Sequence, residues 1–332
     1  SDGDLDVFIG CRSIAGKYPL APNSYIFRND GGKFVDVTAQ VSSDFSKIGM
    51  VSDMKFADID GDKKNELIVV GEWMPISILK FENGKYVNIT KKMKLENTTG
   101  WWNCVQLADL DNDGDIDIIG GNEGLNTRLK VSESEPLEMY AKDFDNNGAI
   151  DPIITYYNLD KKWPLAQRDL ITKQIPSLKK KTLYYRDYAN ARLEDLFSKS
   201  DLDASYHLDA KLFKTSWFEN VNGTFIEHDL PIQSQFSPTY GITIYDINQD
   251  GFNDIVQVGN KWECEPETGQ QDAGNGLILI NEKNKNFKSV LSKYSGFVAP
   301  QNARTIALLH TSKRNIFVVG NNNATLQSFI IK

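Results

Sequence analysis

The sequence predicts an all-β protein: a β-propeller of about six to seven four-stranded blades, with metal loops joining strands one and two and one helical insertion. Three observations carry this. A nine-residue acidic pattern recurs down the chain, a short apolar strand precedes each copy, and a second apolar strand ending in Gly follows. Four strands per unit at a spacing of ~50 residues is the mark of propeller blades.

The pattern is plainest in "DLDNDGDID", where Asp109, Asp111, Asp113, Asp115 and Asp117 crowd together with no Lys or Arg among them. "DFDNNGAID" supplies Asp143, Asp145, Asn147, Ala149 and Asp151, and "DINQDGFND" supplies Asp246, Asn248, Asp250, Phe252 and Asp254. "DIDGDKKNE" supplies Asp58, Asp60, Asp62, Lys64 and Glu66. Oxygen-bearing side chains fall at positions 1, 3, 5 and 9 of every copy, and position 7 would add a backbone carbonyl. Gly at position 6 permits the left-handed backbone that closes the loop, except in the copy at 58–66, which has Lys63. Hard oxygen donors in this number suit Ca²⁺. Three to four calcium sites are expected, the one at 58–66 being weaker. The opening "SDGDLD" reads as the tail of a fifth.

Two other readings compete with the metal. An EF-hand requires a Glu at position 12 and a following helix; here position 12 is Val69, Gly120, Ile154 or Gln257, and β runs follow. Asp- and Asn-rich hairpin turns need no metal, but no turn requires the position-9 carboxylate that every copy keeps.

Between the loops, "SYIFRNDGGKFVDVT", "ISILKFENGKYVNIT", "SWFENVNGTFIEHDL" and "GLILINEKNKNFKSV" read as hairpins, giving strands three and four. The last unit has "TSKRN" in place of an acidic loop and so no metal. One propeller spans residues 1–332, its first blade incomplete. Residues 158–212 form an insertion, within which "YANARLEDLFSKSDL" reads as a short amphipathic helix with Tyr188, Ala191, Leu193 and Leu196 on its apolar side. The insertion is expected to cover the face where strands two and three join.

Composition narrows the function. Net charge is −8, against a nucleic-acid partner. The acid is concentrated in the loops, leaving the rest of the chain mildly basic, as bound cations would explain. No apolar run is long enough to span a bilayer. Cys11, Cys104 and Cys264 have no metal spacing and read as isolated thiols, one pair of which could bridge in an oxidising compartment. The chain opens without Met or a leader, as a mature form or a fragment would.

The repeats, written F-x-D-x-(D/N)-x-D-G-x-x-D-(L/I), resemble FG-GAP/VCBS repeats, the blades of integrin-α-type propellers. The strings "GMVSDMKFADIDGD", "VVGEWMPISI", "GWWN", "GGNEGLN", "YAKDFDNNGAIDPI" and "VQVGN" extend the likeness over nearly the whole chain. Together they resemble the C-terminal propeller of large Bacteroidota surface proteins of the ASPIC/UnbV-associated type. The resemblance implies an extracellular, outer-membrane-associated module within a larger surface polypeptide or complex. Lys63 and the truncated first loop depart from its pattern.

In a propeller the calcium loops mark one face, and the segments after strand two collect on the other. Those segments, joined by "GWWN" where it enters strand one, carry Arg12, Glu72, Trp73, Trp101, Trp102, Asn103, Glu123, Asn126, Arg128, Trp163, Asn260 and Trp262. Tryptophans there either plug the core or form a platform for a glycan or protein partner. A non-catalytic recognition module is the expected function. The alternative is a polysaccharide lyase or hydrolase on the same scaffold, but no catalytic motif appears, and His207, His228 and His310 lie outside the segments joining strands two and three, apart from His207 near the end of the insertion.

Overall fold

The computed structural model describes residues 3–265, 268–283 and 285–331. Ser1 and Asp2 of "SDGDLD", Pro266, Glu267, Asn284 and Lys332 lie outside the described residues. The chain is all-β with few short helices, and the described residues form six antiparallel sheets. The first contains β1 (Val7–Ile9), β2 (Tyr25–Asp30) and β3 (Lys33–Asp36). The second contains β4 (Met50–Ala57), β5 (Glu66–Met74), β6 (Ser77–Glu82) and β7 (Lys85–Asn88), with β8 (Gly100–Trp101) added against β5.

The third sheet is split by an insertion. It begins with β9 (Cys104–Ala108) and β10 (Asp117–Gly121), then the chain leaves to build a separate sheet from β11 (Leu137–Lys142), β12 (Asp151–Asn158), β13 (Lys161–Pro164) and β14 (Tyr206–Ala210). It returns as β15 (Ser216–Asn220) and β16 (Phe225–Asp229), and β15 pairs with β10, Phe218 facing Ile118. The fourth sheet runs β17 (Gly241–Tyr245), β18 (Asp254–Val258), β19 (Leu277–Asn281) and β20 (Phe287–Val290). The fifth is β21 (Ala303–His310), β22 (Asn315–Asn321) and β23 (Gln327–Ile330).

This nesting corrects the sequence reading, in which the acidic loop at 143–151 belonged to a blade in the main succession. It belongs instead to the inserted sheet, and the helical stretch at 158–212 is part of a longer excursion. The first strands of the second to fifth sheets stand side by side in chain order: β4 touches β9, β9 touches β17 and β17 touches β21. The first sheet joins through the Val51 N–H, which donates to the Cys11 carbonyl at 3.0 Å. This arrangement is consistent with a propeller-like fold.

Glycine at the end of strand two has a steric cause. A Cβ at Gly71 would overlap the Met50 carbonyl oxygen, and one at Gly259 would overlap that of Pro238. Small side chains there let neighbouring backbones approach closely. Between the sheets lie apolar clusters. One joins Ile68, Val70 and Ile78 of the second sheet to Trp102, Val105, Ile118 and Phe218 of the third.

The inserted sheet is covered on both faces. On one face Leu137, Met139 and Ala210 pack with Met50, Trp73 and Phe213 of the main body. On the other, Ile153 meets Ile171, Ile175, Leu178, Ala191, Leu193 and Leu196, with Tyr188 against them. The apolar side expected for "YANARLEDLF" therefore forms, but it covers the outer face of the sheet, and the sheet covers the body. The single expected helix is three: Tyr185–Ala189, Leu193–Leu196 and Lys199–Asp203. Local caps restart it, because Asp195 accepts the Arg192 N–H at 2.9 Å and the Ser198 hydroxyl accepts the Asp201 N–H at 3.1 Å.

On the inserted sheet Glu138 pairs with Lys162 at 2.9 Å and His207 at 3.1 Å. Burial would raise its carboxyl, but these hydrogen bonds outweigh burial and hold it down to about 2. A depressed carboxyl stabilises the fold above its unfolded value of 4.5 and loses that contribution as pH falls toward 2. Hydrogen exchange across 137–210 should therefore quicken over this window, and Glu138→Gln should remove the dependence. An identical acid profile in that variant would refute the assignment.

Candidate functional site

All four acidic loops share one hydrogen-bonded scaffold. The position-1 carboxylate accepts two backbone N–H groups from its own loop. Asp109 takes those of Asn112 and Gly114, Asp58 those of Gly61 and Lys63, Asp143 those of Asn147 and Gly148, and Asp246 those of Asp250 and Gly251. Position 5 accepts the N–H of position 7, so Asp62, Asp113, Asn147 and Asp250 hold Lys64, Asp115, Ala149 and Phe252. Position 9 is buried and accepts the N–H of position 2: Glu66 from Ile59, Asp117 from Leu110, Asp151 from Phe144 and Asp254 from Ile247. The left-handed residue at position 6 is Gly114, Gly148 or Gly251, and Lys63 takes that conformation in the copy at 58–66.

In two of the loops a strand-three asparagine ties the position-9 carboxylate to a neighbouring loop. The Asn220 N–H donates to Asp117 at 2.8 Å while its side-chain amide donates to the Ile59 carbonyl at 2.7 Å. Asn281 does the same with Asp254 and the Leu110 carbonyl. Nothing in the nine-residue spacing announced these residues, although "FEN" and "LIN" recur at one place in two of the hairpins.

The carboxylates converge as a cation would require. Oxygens of Asp109, Asp111 and Asp117 lie within 4.8 Å of one another, as do those of Asp143, Asp145 and Asp151, and of Asp58, Asp60 and Asp62. Asp111 Oδ1 and Asp145 Oδ1 are buried without a hydrogen-bond partner. Burial pushes the Asp117 carboxyl up to about 7 and raises Asp111, Asp151 and Asp254 as well. A cation would relieve that cost. Every converging triad uses position 3, which in the copy at 246–254 is the neutral amide of Asn248, so that loop shows no triad among the described residues. These acidic clusters could hold metal ions, and their all-oxygen donors fit Ca²⁺.

At the other end, where strands two and three join, side chains from five sheets gather around Tyr240. Burial raises its phenol, and Lys261, Glu123 and Arg304 act on it through their charges; Arg12 also feels it. Arg304 lies over its ring at 4.2 Å. Arg12 pairs with Glu72 at 2.5 Å, Lys261 with Glu123 at 3.4 Å and Arg304 with Glu263 at 2.9 Å. Burial disfavours the Lys261 charge, but Glu123 and Tyr240 outweigh it and hold the ammonium above its usual range. Lys261 also sits over Trp101 at 5.8 Å.

The expected face residues divide. Arg12, Glu72, Trp101 and Glu123 join this cluster, and Asn103, whose side-chain amide nitrogen is buried without a partner, lies two residues after Trp101. Trp73 is buried beneath, its indole N–H donating to the Tyr18 hydroxyl at 2.8 Å, and it packs on Trp101. Trp102 is fully buried, donating to the Thr98 carbonyl, and is a core plug, not a contact for a ligand. Asn260 is equally buried, its amide bonded to Gly274, Pro300 and Gln301. It too is a structural pin. Trp163 lies on the inserted sheet, Asn126 is exposed and bonded to the Phe236 carbonyl, and Arg128 and Trp262 are exposed. Sequence reasoning missed Tyr18, Tyr240 and Arg304, whose short local strings carry no motif. The three cysteines are free.

An FG-GAP-like repeat model matches residues 1–69 and 58–120. No curated protein matches the chain. The two matched spans cover the opening loop and the loops at 58–66 and 109–117, each ending with a strand two. FG-GAP repeats suggest a propeller-type recognition module. The copies at 143–151 and 246–254 lie outside the matched spans yet keep the same scaffold.

Proposed function

We propose that this protein is a calcium-stabilised recognition module of the cell surface, working outside the cell as part of a larger polypeptide or complex. Calcium in the acidic loops would fix one end of the sheets by neutralising carboxylates that repel one another. The other end would bind a glycan or protein partner.

The observation that carries this reading is the cluster around Tyr240. Its members come from five sheets, so the fold has to assemble before the surface exists. Paired cations and acids offer oriented donors and acceptors, while Trp101 and Tyr240 offer aromatic area. Rigid sheets with irregular connecting segments are where recognition residues concentrate.

A glycan and peptide array probed with the purified protein tests the reading. Lys261→Ala and Tyr240→Ala should each weaken any captured glycan or peptide by roughly tenfold or more, as contact residues do. Unchanged binding in both variants would refute this surface, and turnover of a polysaccharide by the wild-type protein would replace recognition with catalysis.

A further inference from the structure

The acidic loop at 58–66 already contains a cation. The Lys80 ammonium, from β6, is ion-paired with Asp60, with Asp62 at 2.9 Å and with Glu66 at 3.6 Å. Those are positions 3, 5 and 9, three of the four carboxylates that would otherwise face a metal. Asp58 meanwhile closes the turn on Gly61 and Lys63, as its counterparts do. The Lys80 side chain is only 11% exposed, so its charge is sequestered in the loop.

Register explains why one loop differs. Leu67 faces Leu79, Ile118 faces Phe218 and Ile255 faces Leu279. One step further, Glu66 meets Lys80, Asp117 meets Glu219 and Asp254 meets Ile280, so of these three sheets only the second aims an ammonium at its loop. Lysines elsewhere do not play this part. Lys285 and Lys283 are 45% and 49% exposed and approach Asp111 and Asp250 at 3.7 and 4.0 Å; Lys285 belongs chiefly to Glu219. A second departure falls in the same loop: Lys63 holds φ +67° where the other copies have Gly. Such a backbone is strained for an L-residue, so something other than easy geometry keeps this loop in shape.

We propose that the loop at 58–66 takes no calcium, because Lys80 serves as its permanent cation. A divalent ion would have to expel a nearly buried ammonium from three carboxylates and then sit beside it. The second sheet thus keeps its loop closed in calcium-free medium while its neighbours lose theirs. This inference rests on reading the other loops as calcium sites.

Counting bound Ca²⁺ per chain by native mass spectrometry tests it. Lys80→Met should bind one more ion than wild type, and the double change Asp60→Asn with Asp62→Asn in the wild-type background should leave the count unchanged. A Lys80→Met protein that folds and binds the wild-type number overturns the proposal. So does a count that falls by one in the double variant, which also decides the matter if Lys80→Met does not fold. A wild-type count of zero that rises to one in Lys80→Met would sink the calcium reading of the other loops and leave this proposal standing.

Discussion

Chelation with EGTA should lower the melting temperature by roughly 10 °C. Mass action at ~100-fold excess over Kd gives about 2.7 kcal/mol per site, about 5 kcal/mol for two sites, and a chain longer than about 250 residues moves by about 2 °C per kcal/mol. Two converging triads, at 109–117 and 143–151, carry most of the expected loss, since they hold the orphaned oxygens of Asp111 and Asp145. Removing the ion leaves those oxygens without a counter-charge in a buried setting, which is costly. The effect should spread beyond the loops, because Asn281 joins the buried carboxylate at 254 to the Leu110 carbonyl of the loop at 109–117. Mg²⁺ should restore little, as its short octahedral bonds do not suit a wide carboxylate cage. A calorimetric melting curve that is the same in EGTA and in calcium would show that the loops are closed by hydrogen bonds alone.

How much of this was visible in the residues depends on range. The loops were legible because their chemistry is local: alternate oxygens, a Gly at position 6 and a closing carboxylate lie within nine residues. The β class followed from the apolar runs around them. Lys80 was not legible, since it enters the 58–66 loop from a strand fourteen positions beyond Glu66, and only the register of β5 with β6 brings it there. The nested sheet was hidden for another reason. Its loop at 143–151 copies the others so well that it passed for one more blade. The short step from Gly114 to Gly148, 34 residues against ~50 for a full unit, was the available signal. The cluster around Tyr240 has no sequence signature, because each sheet contributes one to three side chains and three-dimensional assembly alone makes them neighbours.

Adjacent tryptophans make the sharpest contrast. Trp102→Ala should cost about 3–5 kcal/mol, the range for deleting a large buried aromatic. Its ring fills the space above Gly120, where a Cβ would collide with it, and packs edge-on against Phe218 at 5.9 Å. Its indole N–H is spent on the Thr98 carbonyl. Trp101→Ala removes less packing, since the ring is only half-buried, edge-on to Trp73 at 5.4 Å and tilted on Phe213 at 4.8 Å. It also removes the aromatic surface beneath Lys261. Trp101→Ala should therefore weaken a captured glycan or peptide by ~2 kcal/mol, as loss of an aromatic anchor does, with a smaller drop in melting temperature than Trp102→Ala. Measuring both quantities on both variants separates packing from recognition. Equal stability losses with unaltered affinity would make both rings structural, and the partner would then have to meet the protein away from Trp101.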